Sequence, residues 1–570
     1  MLKNWQVKNK ISKETKNEFP EVNSIILQLM QNRGLVSKKE IDEFMNPDYE
    51  HGLHDPFLFR DMEKAILRIE KAAENKEKVL IYGDYDADGV CSSVVLYEIF
   101  KKMSFNVEVY LPHREKEGYG LNMGACDYII KQDVKLVVTV DCGVSNKEEV
   151  KKLQEAGIDV IILDHHHPPE ELPEAYAIVD AKIKDDKYPF SELAGVGVAF
   201  KLVQALVKRG KLKDGQEKWF LDLVALATVA DCSDLIGENR ALVKWGMVVL
   251  NKTKRLGLVE LIKAASRKLG KIDTYVIGYH LAPRINAAGR MNHANAAFKL
   301  LISDNKSEAE RLALDLNREN VERQKLTERI LKEANAKIGE FDPKNKLIFV
   351  ADTREGLWPP GVVGLVAGKL ADLYQRPALV VGRNSEGKLI GSGRSVLDFN
   401  IIEAVAEAKE YLSHFGGHSG ACGFTIKDEA SMEPFFIKVG EIAKSKLSDK
   451  DLRPVLEIDA EIEMRDITWE FFEQLENFEP FGEMNPKPRF LGKDLEVAGL
   501  VGVGNGAKHL RLLVNQGEIK NRKTIGFGFG EWCGKLKVGD KVDIVFEVEA
   551  DEWNGARELQ VRIVDLRASH

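Results

Sequence analysis

Apolar residues change their spacing along this chain, and each change marks a different kind of element. Over about the first 75 residues they are sparse and helical. "NSIILQLMQNRG" ends on Gly34 as a C-cap, and "SKKEIDEFMN" opens on Ser37 with Glu40 placed to complete a capping box. From Lys78 short β-branched runs ("KVLIY", "NVEVYL", "KLVVTV", "DVIIL", "YAIV") alternate with helical segments such as "SSVVLYEIFKKM" and "NKEEVKKLQEAG". Strands of that kind, separated by helices, predict a parallel sheet with crossover helices. Helical spacing then dominates from about Gly197 to Gly270.

From Ser307 to Gly339 the chain is polar except for Leu326, Ile330, Ala334 and Ile338, which recur every four residues. That predicts one exposed helix bridging two domains. A second α/β block begins at "KLIFVADT" and runs through "PALVVG" and "KLIGSGRS" to "GACGFTI". The remaining stretches, "LEIDAEIEM" to "ELQVRIVDL", alternate in character and are joined by Gly, Asn and Asp turns, which predicts a small antiparallel barrel. The expected organisation is a helical segment over 1–75, a parallel-sheet catalytic block over 76–270, a phosphate-contacting motif and bridging helix over 271–340, a smaller α/β block over 341–448 and the barrel over 449–570.

Composition narrows the setting. Hydrophobic residues at 44% and charged residues at 30% suit a soluble globular protein, and no apolar run is long enough to cross a bilayer. The N-terminal "MLKNWQVKNKISKETKNEF" lacks the apolar core of a signal peptide, and the six cysteines form no C-x-x-C pair. The expectation is a cytoplasmic monomer with reduced thiols and no membrane contact. A net charge of −8 argues against long-range capture of nucleic acid, so any phosphate binding must be local.

Chemistry concentrates at strand ends. Asp84, Asp86 and Asp88 follow "VLIY", Asp141 follows "LVVTV", and Asp164, His165 and His166 follow "VIIL". Ligands of open α/β sheets bind beyond the carboxyl ends of the strands, where these side chains would converge. A single aspartate there is commonly a turn former or N-cap. Several such ends in one sheet point instead to a divalent metal: carboxylate oxygen and imidazole nitrogen suit Mn²⁺ or Mg²⁺, and a shared carboxylate suits a two-metal phosphoryl-transfer site. Asp231, after the apolar run "LDLVALATVA", reads equally as a helix-end residue or as a further ligand. Arg284, Asn286 and Arg290 in "LAPRINAAGRM" read as phosphate forks or as an interdomain salt-bridge cluster. The glycine-rich "GSGRS" and "FGGHSGACG" could cradle further phosphates with Arg394, Ser395, Gly417 and His418. In the barrel, Lys508, His509, Arg511 and Trp553 read as strand-contacting residues or as solvated surface.

D-x-D-x-D-G, V-D-C-G, L-D-H-H and V-A-D, in that order, resemble the DHH phosphoesterase superfamily. "GVGVAFKL", "LAPRINAAGRM", "GVVGLVAGKL", "GSGRS", "FGGHSGACG", "LENFEPFGEMNPKP" and "WNGARELQVRIVDLR" extend the resemblance to its RecJ-like branch of single-strand-specific exonucleases, over almost the whole chain. The resemblance implies a DHH catalytic domain, a bridging helix, a DHHA1 domain and an OB-like barrel. It implies a 5′→3′ exonuclease that degrades single-stranded DNA to mononucleotides in DNA repair and recombination, with two Mn²⁺ or Mg²⁺ ions. Asp88, Asp141, His165 and Asp231 would then hold one ion, and Asp86, Asp141 and Asp84 the second, with Asp141 bridging. His166 would meet the scissile phosphate, with Asp164 and Asp141 beside it in the catalytic group. Single-strand-binding protein and a RecQ-type helicase are the implied helpers.

Two departures stand out. Tyr82 occupies a position where the superfamily often has a ligating histidine, which implies a weaker second ion, and Pro359 stands where RecJ-like chains commonly have histidine. Two rival functions remain: a phosphodiesterase of short oligoribonucleotides or cyclic dinucleotides, and a DHH-like scaffold that binds strands without cleaving them. The bridging helix and barrel speak against the first, and the full carboxylate and histidine set against the second.

Overall fold

Contrary to the helical reading of its start, the chain opens with a strand, β1 (Asn4–Val7), paired in parallel with the distant segment Val455–Ile458. The computed structural model describes residues 3–396, 399–448, 450–553 and 556–569. It divides into two compact units, one made of Met1–Leu53, Asp234–Lys244 and Pro454–His570, the other of His54–Ser233 and Trp245–Arg453. The first 75 residues are therefore shared: helices Ser24–Asn32 and Lys38–Met45 fold with the C-terminal part, while helix Met62–Glu74 folds with the parallel sheet. The capping box of Ser37 and Glu40 is present, and Gly34 turns the chain at φ +77.

The larger unit holds two sheets. Strands β2 (Lys78–Gly83), β3 (Asn106–Tyr110), β4 (Leu136–Val140), β5 (Asp159–Leu163) and β6 (Ala177–Val179) form a wholly parallel sheet in the order β3-β2-β4-β5-β6. Every residue of β4 is buried, as expected of a central strand covered on both faces. Tyr82, Val137, Val160 and Ile162 meet Ala125, Ile129, Val150 and Leu153 of the covering helices, each fully buried aliphatic contributing about 1.5–3 kcal/mol.

The predicted bridging helix is Lys306–Ile338. Asn305 caps its start by accepting from Glu308 N, and Gly339 ends it at φ +65. Ala309, Leu312 and Leu316 are buried in its first half, and Ile330 and Ala334 in its second. Beyond it, β7 (Ile348–Glu355), β8 (Ala378–Arg383), β9 (Leu389–Arg394), β10 (Leu412–His418) and β11 (Ala421–Ile426) form a mixed sheet in the order β10-β11-β9-β8-β7, of which only β7–β8 is parallel. Alternation along β8 divides its faces. Leu379 and Val381 join Phe435 and Val439 of helix Glu429–Leu447, and Val380 joins Val362 and Val366 of helix Pro360–Tyr374.

The smaller unit is built on β12 (Val455–Ile458), β13 (Ala460–Glu461), β14 (Phe490–Val503), β15 (His509–Gln516), β16 (Ile519–Gly526), β17 (Lys541–Trp553) and β18 (Ala556–Ala568). The order β14-β15-β16-β18-β17 returns to β14 through a further β14–β17 pairing, closing a five-stranded barrel. Ile26, Leu29, Met30 and Phe44 of the N-terminal helices share one core with Phe490, Leu512 and Ile544 of the barrel. Arg240, almost fully buried, ties the unit together. It donates to the carbonyls of Phe44 (2.8 Å), Asn477 (3.1 Å), Phe478 (2.9 Å) and Glu479 (3.0 Å), and its guanidinium lies 3.8 Å from the Phe44 ring centre. Backbone carbonyls surround this charge, and burial with the charge of Arg33 pushes its pKa down to about 9, against the pull of Glu479. Among the described residues no helix is long and apolar enough to cross a membrane.

Candidate metal centre

Three adjacent parallel strands deliver the acidic cluster. Past β2 the chain turns through Asp84 and starts helix Ala87–Lys102, which needs glycine at 89: a Cβ there would lie 2.5 Å from the backbone N and O of Asp84. Asp86 is the N-cap, and its Oδ1 accepts from Asp88 N (2.9 Å) and Gly89 N (3.2 Å). Asp88 accepts from Gly195 N (2.7 Å) and Val196 N (2.8 Å) at the start of helix Gly195–Lys208, where a carboxylate is favoured. Asp141 follows β4 in a left-handed conformation, φ +60, and a Cβ at Gly195 would come within 2.8 Å of the Asp141 Cβ. Past β5, Asp164 Oδ1 accepts from His165 N (2.8 Å), His166 N (3.2 Å) and His166 Nδ1 (2.8 Å), and its Oδ2 accepts from Val144 N (3.0 Å). Asp231 is the C-cap of helix Leu221–Ala230 and accepts from Ser233 Oγ at 2.6 Å.

These residues meet in space. Ligand atoms lie within 4.8 Å of one another in each of three groups: Asp84, Asp86 and Asp141; Asp88, His165 and Asp231; and Asp141, His165 and His166. His165 Nε2 lies 3.1 Å from Asp141 Oδ1 and 4.0 Å from Asp88 Oδ2, so the first two groups adjoin through Asp141 and His165. Asp164 belongs to none of the groups and instead orients the histidines.

The cluster is electrostatically unbalanced. Burial, and then repulsion from neighbouring carboxylates, raises Asp84, Asp88 and Asp141 well above the usual range. Burial and Asp86 push Asp231 up to about 6, against the Ser233 hydrogen bond. His165 is pushed down to about 3 by burial and by the charge of His166. Asp164 behaves oppositely: burial would raise it, but the hydrogen bond and charge of His166 hold it below its usual value. Burial opposes charge on His166 as well, yet Asp164 pushes that imidazole up to about 9. One buried oxygen, Asp84 Oδ1, has no hydrogen-bond partner among the described residues. Carboxylates with an imidazole, short of countercharge and holding an orphaned oxygen, fit Mn²⁺ or Mg²⁺.

The sequence motifs missed several flanking groups. Tyr119 donates to the Asp141 carbonyl at 3.0 Å and its hydroxyl lies 3.0 Å from His166 Nδ1. Arg114 sits 4.7 Å over the Tyr85 ring and lowers the pKa of Asp84. Both come from the loop after β3, which has no distinguishing pattern. Arg290 donates to Gly361 O at 3.2 Å, and burial with the charges of Arg114 and Arg323 pushes it down to about 9. Arg394 donates to Ser392 Oγ (2.9 Å) and Gly393 O (2.7 Å), and with Arg323 and Lys369 it lines a cavity of about 510 Å³ floored by Gly364 and Gly368. Partial burial of its ring and then the Arg394 charge lower His418, the last residue of β10 before the hairpin turn at Ser419 and Gly420.

Other expected phosphate groups are already engaged. Arg284 donates to Asn317 Oδ1 (3.0 Å) and His280 O (2.5 Å), the Asn286 carbonyl accepts from Ala87 N (2.7 Å), and the Ser395 hydroxyl bonds Phe399 O. These bonds tie the three side chains to neighbouring segments of the chain. Tyr82 turns away from the carboxylates: fully buried, it donates to Gly120 O at 2.8 Å and stacks on Tyr110. Pro359 is the N-cap of helix Pro360–Tyr374. On the barrel, Lys508 and Arg511 are exposed, and His509 meets Phe527, an aromatic left 57% exposed that the sequence reading overlooked. The side chain of Trp553 lies outside the described residues.

Three family models match the chain: the DHH family N-terminal domain over residues 78–228, the DHHA1 domain over 345–445 and the RecJ OB domain over 458–565. The single-stranded-DNA-specific exonuclease RecJ of Bacillus subtilis (strain 168) is 38% identical over 99% of this chain and 71% of its own length. RecJ of Escherichia coli (strain K12) is 29% identical over 99% of this chain and 100% of its own. A crystal structure of RecJ in complex with Mn²⁺ from Thermus thermophilus superposes with a TM-score of 0.84 at 28% identity, covering 100% of this chain and 80% of the other. Its Mg²⁺ complex gives 0.78 at 27% identity, covering 100% and 79%.

Proposed function

Because the chain belongs to the RecJ family of single-stranded-DNA-specific exonucleases, we propose that its carboxylate cluster is the centre at which it hydrolyses single-stranded DNA from the 5′ end, releasing mononucleotides. One observation carries the assignment: two ligand groups adjoin at Asp141 and His165 with too little positive charge of their own. Asp88, Asp141, His165 and Asp231 would hold one divalent ion, and Asp84, Asp86 and Asp141 a second. Bound there, Mn²⁺ or Mg²⁺ supplies the positive charge that activates water and stabilises the oxygens entering and leaving phosphorus.

The chain's own groups do the rest. Asp164 holds His166 Nδ1 and so orients the ring, and Nε2, 3.4 Å from the Tyr119 hydroxyl, would donate to a phosphate oxygen. Tyr119 fixes the Asp141 backbone and the His166 ring together. Arg114, Arg290 and Arg394, crowded near the cluster, suit the phosphates of the incoming strand. Lys508, Arg511 and Phe527 give the barrel charges and a ring face on which a base can stack. The burial of Tyr82 in the core supports the reading of a less securely held second ion. A cytoplasmic place in DNA repair and recombination, with single-strand-binding protein and a RecQ-type helicase as helpers, fits the substrate class of the family and six cysteines that form no disulfide among the described residues.

The test is digestion of single strands labelled at the 5′ or the 3′ end, with and without Mn²⁺. The expected result is labelled mononucleotide released first from the 5′-labelled strand, only with metal. Metal-independent cleavage, or early loss of the 3′ label, overturns the reading.

A further inference from the structure

Helix Ala282–Met291 lies against the loop that carries Asp84, Asp86 and Asp88, and the contact is made through polar and backbone atoms. Asn286 Oδ1 accepts from Ala87 N at 2.7 Å; since the donor is an N–H, the facing atom must be the amide oxygen. That N–H leads helix Ala87–Lys102 and is one of the four N-terminal donors with no partner inside the helix. Asp86 Oδ1 takes the next two, from Asp88 and Gly89, and Val90 N closes the first intrahelical bond on Asp86 O at 2.9 Å. The start of the helix is thus satisfied without Asp86 Oδ2.

Backbone contacts keep Asn286 in place. A Cβ at Gly289 would lie 2.6 Å from Tyr85 O, so the helix meets the loop one turn further on. On its other side a Cβ at Gly361 would lie 2.4 Å from Arg290 O, and Arg290 Nη1 donates to Gly361 O. The helix is wedged between the aspartate loop and the start of helix Pro360–Tyr374.

We propose that Asn286 is a positioning residue for the metal centre: its carbonyl oxygen fixes the start of helix Ala87–Lys102 and thereby aims Asp86 and Asp88 at the divalent ion. Nothing in this role touches the DNA strand. Without the amide, the Ala87 N–H would compete for the Asp86 carboxylate, which already caps the helix, and turn it from its ligating direction. The inference rests on the metal reading above. Groups that orient metal ligands typically govern affinity about 10–100-fold.

The experiment is Mn²⁺ titration calorimetry on wild type, Asp141→Ala, Asn286→Ala, Asn286→Asp and Gly289→Ala. Circular dichroism would check each fold, and strand binding would be measured without metal. Asn286→Ala should weaken Mn²⁺ binding by about 10–100-fold, and Asn286→Asp, which keeps the acceptor oxygen, should restore most of it. Gly289→Ala should also weaken Mn²⁺ binding by displacing the loop, an independent arm should Asn286→Ala not fold. Strand affinity without metal should stay near the wild-type value in Asn286→Ala. Wild-type Mn²⁺ affinity in folded Asn286→Ala or in Gly289→Ala overturns the proposal. So does metal-free strand affinity lowered about tenfold or more in folded Asn286→Ala, the mark of a hydrogen bond lost to a phosphate. Failure of the metal reading itself looks different: wild type then binds no Mn²⁺, or Asp141→Ala binds it equally well.

Discussion

Each α/β block of the larger unit carries buried aspartate towards the C-terminal end of a parallel strand, Asp352 in β7 and Asp84 and Asp141 just past β2 and β4. Asp352 is neutralised from within. Arg354 Nε and Nη2 reach its two oxygens at 2.9 and 2.6 Å, Lys337 Nζ lies 3.4 Å away, and the Arg354 hydrogen bonds hold its pKa at about 2. Asp84, Asp88 and Asp141 have mainly one another, and burial with like charge drives them the other way. Residue type and strand position are comparable in the two blocks. What separates a structural aspartate from a metal-ready one is whether the chain supplies its countercharge.

The strongest break of that comparison is functional. Asp141→Ala should abolish cleavage with fold and strand binding kept, because Asp141 belongs to the group with Asp84 and Asp86 and lies 3.1 Å from His165 of the adjoining group; Asp352→Ala should leave cleavage near wild type. Digestion of labelled strands measures both, and equal activity in the two variants refutes the contrast.

Metal-linked stability sharpens it further. An ion bound only by the folded state adds about 2.7 kcal/mol at a hundred times its Kd. Thermal melts should show that gain in wild type and Asp352→Asn and lose it in Asp141→Ala.

Without metal, the two aspartates should pull stability in opposite directions. Asp141 has a raised folded pKa, so its contribution falls as pH rises through and above the ordinary carboxylate range, and Asp141→Asn should stabilise the metal-free protein at neutral pH. Asp352 has a lowered one, so its contribution is present above about pH 4 and fades as pH falls through about 2. Asp352→Asn should therefore cost about 0.5–1 kcal/mol at neutral pH, a screened value because Arg354 is exposed. Melts of metal-free protein at pH 7 decide this: destabilised Asp141→Asn contradicts the account.

The smallest effect concerns cations beside the cluster. Arg290→Ala should flatten the log-affinity against log-salt slope by about 0.7, whereas Arg284→Ala, whose fork is already bonded to Asn317 and His280, should flatten it less. Equal slopes in the two variants dissolve that distinction.

Periodicity made the five parallel strands, the bridging helix and the barrel legible, since each buries a face whose period is written in the residues. The carboxylates were legible because they follow those strands directly. β1 was not, for "NWQV" is four residues whose partner lies at the other end of the chain. Tyr119 and Arg114 come from a loop without periodicity, and only the folded chain brings them to the cluster. Asn286, beside Arg284 and Arg290, reads as a phosphate-binding group in the sequence, and only the folded chain shows its amide oxygen accepting from Ala87 N.

Pairing of β1 with β12 also bears on how the protein is made. At a synthesis rate of about 5–20 residues per second, the first strand waits roughly 20–90 s for its partner to leave the ribosome. Through that interval Ile26, Leu27, Leu29 and Met30 lack the barrel side chains that complete their core. The nascent N-terminus is thus a natural client for a holding chaperone. A gene cut before residue 454 would leave it permanently in that state, because Met1–Leu53 and Asp234–Lys244 fold as one unit with Pro454–His570.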